Sequence, residues 1–232
     1  MEMTSTKSVG RLIGVLMLLH LAFALMVPFI MLERVRGAEG LLANAAGSPF
    51  QVHIAVLLLF VGSALAVGIA ITALRVFREH NETMAFWLLA LATAGFALQA
   101  VDNGAILSIL SLSQEYAQAG VAKSELFQSL GLVAGAARKW AHYSYLLVAV
   151  SWIFLLYSML FRFRLIPRAL AALGLIGCLL QIYGVTLRGV FGYPPMTVLA
   201  MPLAPIQLAA ALWLMVKGFA ERQPPLSVTV KS

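Results

Sequence analysis

Cysteine occurs once in 232 residues, at Cys178, so no disulfide can form within the chain and no C-x-x-C metal or redox motif exists. Charge is almost as scarce, since Asp, Glu, Lys and Arg make up 11% of the residues, against about a quarter in an ordinary soluble domain. Aspartate also occurs once, as Asp102. The Walker loop, the G-x-G-x-x-G fingerprint, the G-x-S-x-G elbow and the H-E-x-x-H pair are all missing, which removes the commonest sequence signatures of nucleotide binding, serine hydrolysis and zinc proteolysis. What remains is apolar: 62% of the residues are hydrophobic and the mean hydropathy is +0.93. A chain of this composition belongs in a lipid bilayer. The formal charge of +7 does not point to nucleic acid, because Lys and Arg stand singly or in pairs at the ends of apolar segments and form no phosphate-tracking patch.

Six apolar segments, at 12–32, 52–74, 84–112, 140–161, 169–187 and 196–216, each approach the ~20 residues that a helix needs to cross ~30 Å of hydrocarbon. Long unbroken apolar runs exclude a barrel of short alternating strands, so the expected fold is all-α: one six-helix transmembrane bundle over residues 1–222, with 223–232 as a disordered tail. The first run is far longer than the ~7–15 apolar residues of a signal peptide and is expected to remain as a helix. Ten Lys and Arg residues fall on the side of the termini and six on the other, with the shorter loops on the richer side. The positive-inside rule therefore places both termini of this multi-pass membrane protein in the cytoplasm. In the second outer loop, Leu126, Leu130 and Val133 at helical spacing suggest either a short helix lying on the outer surface or a loop packed on the bundle.

Counting from the flanking cytoplasmic charge of each segment gives the depth of every polar group. Asp102, His142 and Arg188 each lie about 30 Å away, at the outer boundary of the hydrocarbon, and His53 joins them at roughly 33 Å. Gln99 and Tyr145 lie about one turn deeper on the same helix faces as Asp102 and His142, and Arg138 stands one turn above His142. His20, Gln181 and Gln207 form a second, mid-membrane layer, about 14–20 Å deep. In the fifth segment, Gly174, Gly177, Gln181, Gly184 and Arg188 form one stripe whose small residues let helices approach, so Gln181 and Arg188 are expected to point inward. Ala90, Ala97 and Gly104 form a comparable small-residue seam in the third segment, and Pro202 and Pro205 are expected to kink the sixth beside Gln207.

An ionised carboxylate at this depth is costly unless paired, and the candidate partners of Asp102 at matching depth are Arg188, Arg138 and His142. Three readings follow: an ion pair that fixes helix packing, an outward-facing site for a small polar or lipid ligand, or general acid–base chemistry by Asp102 and His142. The ligand site is the function assigned to the chain at this point. An accessory subunit that contacts another membrane protein and an integral-membrane enzyme are the alternatives. No cofactor is expected; haem or a metal held by His53 and His142 lacks any reinforcing H-x-x-H spacing.

The run Phe161-Arg162-Phe163-Arg164-Leu165-Ile166-Pro167-Arg168-Ala169-Leu170-Ala171-Ala172-Leu173-Gly174, with Pro202 and then Ala211-Leu212-Trp213-Leu214-Met215-Val216-Lys217-Gly218-Phe219, resembles a bacterial six-helix membrane family known as domain of unknown function 4386. The resemblance implies the six-helix fold and a bacterial inner membrane, supplies no activity, and implies an acidic residue in the last helix where this chain has Gln207.

The topology has a direct check. In a Cys178→Ala background, single cysteines at Ser48 and Gln118 should react with an impermeant maleimide from outside the cell, and one at Asn81 only after permeabilisation. The reverse pattern would invert every depth given above.

Overall fold

The structure is a computed structural model that describes residues 5–36, 40–119, 124–193 and 197–220. The tail expected at 223–232 lies outside the described residues. Six helices are long and apolar enough to cross a membrane, and no strand occurs among the described residues.

The first span is α1 (Thr6–Met26), which continues through a π-helical turn at Val27–Met31 into α2 (Leu32–Arg36). Pro28 has no N–H to give, and the chain widens by one residue around it. Gln51 of the next span ties down the end of the π turn by donating from Nε2 to the Met31 carbonyl at 2.8 Å. A short α3 (Leu41–Asn44) leads into the second span, α4 (Pro49–Arg78), and a three-residue turn leads into α5 (Glu82–Ala119). The fourth span is α6 (Ser124–Arg162), the fifth is α7 (Arg168–Gly189), and the sixth is α8 (Thr197–Ala200) followed by α9 (Leu203–Lys217).

Each span packs on its neighbours in sequence, and α1 closes the ring against α9. Glycine makes that closure possible. A Cβ on Gly14 of α1 would stand 2.7 Å from the Ala211 carbonyl oxygen of α9, and one on Gly10 would meet the backbone at Gly218 and Phe219. Both termini therefore lie at one end of the bundle. There Gly218 turns with φ +70° beside Lys7, Phe219 is buried against Phe77, and the Ala220 N–H donates to the Leu165 carbonyl at 3.0 Å. The α6–α7 corner is a Schellman stop. Leu165 donates to the Leu160 carbonyl at 3.1 Å, Leu165 itself is buried, and Arg164 takes the left-handed position at φ 56° that glycine usually fills.

Two sequence expectations are corrected. Residues 124–139 are neither a surface helix nor a packed loop but the first turns of α6 itself; at 38 and 39 residues, α5 and α6 are about 57 and 58 Å long and run well beyond ~30 Å of hydrocarbon at the end opposite the termini. The sixth span is not a kinked continuous helix, because Met201 and Pro202 form a turn that divides α8 from α9. The seam of Ala90, Ala97 and Gly104 faces outward, whereas Gly174, Gly177 and Gly184 of α7 are buried as expected.

The buried residues form two separate apolar clusters. The larger occupies the end of the termini and includes Ile13, Ile69, Leu88, Leu156, Cys178 and Leu214. The smaller lies at the other end, where Val27, Leu32, Leu41, Val52, Ile106 and Leu110 join the first connection to the tops of α4 and α5. Ala46 is tied to the same region through its N–H, which donates to Ser113 Oγ at 2.9 Å.

Candidate functional site

Between the two apolar clusters, four neighbouring spans carry polar groups in two layers, one at Asp102, Asn103 and His142 and one about 9–15 Å deeper at His20. On α5 the buried residues run Ala85, Leu88 and Ala92 in the larger cluster, then Gly95, Gln99, Asp102 and Asn103, then Ile106, Ile109 and Leu110 in the smaller. Spacings of three and four put these on one helical face, so the same stripe that buries α5 changes from apolar to polar and back. Buried His20 occupies the matching gap on α1, and Gly62 and Ser63 occupy it on α4.

Hydrogen bonds tie this belt across helices. His20 Nδ1 donates to the Gly62 carbonyl of α4 at 2.8 Å, and its ring meets the edge of Trp152 on α6 at a centroid distance of 5.5 Å. Gln99 Nε2 donates to Asn103 Oδ1 at 2.9 Å, and Asn103 Nδ2 donates to the Val56 carbonyl at 3.2 Å, joining α5 to α4. Each bond gives a buried polar group a partner where water is absent.

Asp102 lies at the centre of the belt with its side chain 2% exposed. Its Oδ2 accepts from His142 Nδ1 at 3.0 Å, and its Oδ1 faces Arg138 Nε at 3.8 Å, both from α6. The second separation is too long for a hydrogen bond and acts as charge on charge, so Asp102 Oδ1 is a buried acceptor without a hydrogen-bond partner. Exposure rises outward through the trio, from Asp102 to Arg138 at 17% and His142 at 39%. Tyr145 stands beside His142, with ring centroids 6.3 Å apart. The carboxylate orients the imidazole through Nδ1, and the ring is the part of the cluster that reaches the surface.

The structure thus brings together Asp102, Arg138, His142 and Tyr145, with Gln99 on the same face of α5. It does not bring in the others. Arg188, expected to point inward, is exposed at the last turn of α7. That turn lies against Tyr143 through Gly189, where an added Cβ would be 3.1 Å from the ring. His53 is exposed and donates from Nδ1 to the Pro49 carbonyl of its own helix at 2.8 Å. His20 serves α4 and Trp152, and Gln181 and Gln207 are half-buried on α7 and α9. Among the described residues no group of three or more His, Cys, Asp or Glu side chains converges as a metal-ligand set. Asn103 was overlooked by the depth count although its position was informative: it is four residues from Gln99 and adjacent to Asp102, on the buried side of α5.

Two cavities lie elsewhere. One, of about 300 Å³, is an apolar groove lined by Trp87 and Leu91 of α5, Phe154 and Leu155 of α6, and Ile182 of α7. The other lies at the α4–α5 turn.

Six apolar spans with a buried acid–base cluster between two cores define a multi-pass α-helical membrane protein. A family model described as "Domain of unknown function (DUF4386)" matches residues 12–218, and the chain belongs to that family. No curated protein and no solved structure matches it.

The trio makes a quantitative prediction. Asp102→Asn should cost about 3 kcal/mol of unfolding free energy in mixed micelles, because it removes the buried negative charge that faces Arg138 and accepts from His142. Arg138→Gln should cost a similar amount, and the double variant should cost clearly less than the sum. Silent single variants would remove the pair from the account.

Proposed function

We propose that the protein is a small-ligand binding protein, or the binding element of a transport process, whose site is the Asp102–Arg138–His142 cluster at the membrane boundary opposite the termini. The observation that carries this reading is the buried Asp102 Oδ1, an acceptor without a hydrogen-bond partner beside a half-exposed imidazole. An unsatisfied buried acceptor costs about 1–3 kcal/mol, and a ligand that brings a donor to it recovers that cost as affinity. The ligand is therefore a small molecule or lipid headgroup with an O–H or N–H donor, entering past His142. No cofactor is needed for such recognition.

By the charge count the site opens to the outside of a bacterial inner membrane, where a ligand would arrive from the periplasmic side or from the outer leaflet. The alternative as an enzyme draws on the same 3.0 Å contact, since a buried carboxylate holding Nδ1 is how an imidazole base is positioned. Binding is the better reading because recognition needs only the groups already assembled, whereas catalysis needs a reacting group that the cluster does not add.

The test is mass spectrometry of molecules that copurify with the full chain. A donor-bearing molecule should be retained by the parent protein and lost from His142→Ala, compared at a temperature where circular dichroism shows both folded, because the variant also loses the hydrogen bond to the buried Asp102 carboxylate and should melt lower. Identical copurifying molecules in both proteins, or none in either, would contradict the proposal. Turnover of the retained molecule that vanishes in His142→Ala would instead support the enzyme.

A further inference from the structure

At the end of the bundle where the termini lie, α4 passes into α5 through the three residues 79–81, and beside that turn is a cavity of about 530 Å³ lined by Ile71, Leu74, Arg75, Arg78, Glu79 and Glu82. Its lining is ordered by depth. Ile71, Leu74, Arg75 and Arg78 recur at three, four and seven and so form one face of α4, apolar toward the membrane centre and basic toward the water. Ile71 is 57% exposed and presents its side chain to lipid.

The charges in the pocket are balanced but not all paired. Arg78 and Glu82 make an ion pair across the turn at 3.7 Å. Arg75 and Glu79, one turn apart on the same face, have no ion-pair partner among the described residues, although an arginine and a glutamate at this spacing could close on each other. One guanidinium and one carboxylate are therefore left facing the same space, with the backbone of Arg75 about 6 Å nearer the membrane centre than that of Glu79.

We propose that this pocket binds a zwitterionic aminophospholipid from the leaflet at the termini end. In such a lipid the phosphate is bonded next to the glycerol and the ammonium lies further out, which is the order in which Arg75 and Glu79 stand. The phosphate meets Arg75, the ammonium meets Glu79, and the acyl chains leave along Ile71 and Leu74. A purely anionic headgroup would meet Arg75 but would also face the carboxylates of Glu79 and Glu82. Free phosphate would gain neither the carboxylate contact nor the apolar one.

Native mass spectrometry of the delipidated full chain, titrated separately with phosphatidylethanolamine, phosphatidylglycerol and inorganic phosphate, tests this. Phosphatidylethanolamine should bind at least fivefold more tightly than phosphatidylglycerol, and inorganic phosphate should not displace it. Arg75→Gln and Glu79→Gln should each weaken phosphatidylethanolamine binding by about fivefold, the size expected of one interfacial charge. The swap Arg75→Glu with Glu79→Arg keeps the composition but inverts the order, and should weaken binding at least as much as either single change. All these side chains are exposed, so the variants should retain the parent's circular dichroism. Equal or tighter binding of phosphatidylglycerol, displacement by inorganic phosphate, or unchanged binding in the swap would overturn the proposal.

Discussion

The structure is organised by the burial of one carboxylate in a bundle whose surroundings are almost entirely apolar. Asp102 cannot hold a charge in that setting without counter-charge and hydrogen bonds, and α6 supplies both through Arg138 and His142. This fixes the register of α5 against α6, the two longest helices, at one height. Asn103 fixes α4 at that height through the Val56 carbonyl, and His20 ties α1 to α4 about 9 Å deeper through the Gly62 carbonyl. A belt of specific bonds therefore divides two cores whose apolar contacts alone would tolerate helix sliding. The cost of burying polar atoms restricts the bundle to one arrangement.

The opposite end is held differently. There the chain relies on close backbone approach: Gly10 and Gly14 against α9, the left-handed turn at Gly218, and Phe219 covered by Phe77. The Ala220 N–H and the Leu165 carbonyl join the two sequence stretches that resemble the family, so those stretches are neighbours in space as well as motifs in sequence. Their role here is to close the ring of six helices.

Much of this was legible in the sequence, for identifiable reasons. Hydropathy marks spans because lipid demands long apolar helices, and counting residues from flanking charges placed Asp102, Arg138 and His142 at one level because the helical rise is constant. Depth alone could not say which way a side chain points, which is why Arg188 was expected inside and is found outside. Hydropathy likewise could not tell that residues 124–139 continue α6, since a helix standing clear of the membrane and one lying on it can share a pattern. The π turn at Pro28 and the break at Pro202 depend on how freed backbone groups are repaired, and neighbouring helices decide that.

The pairing of Asp102 with His142 can be read at a single site because the chain has one aspartate. Solid-state NMR on protein in lipid bilayers, with ¹³Cγ-labelled aspartate and ¹⁵N-labelled histidine, should show one carboxyl carbon coupled to one imidazole nitrogen at hydrogen-bonding range, with the coupling abolished by His142→Ala. A carboxyl carbon with no coupling to any histidine nitrogen, or one that survives that substitution, would contradict the central claim.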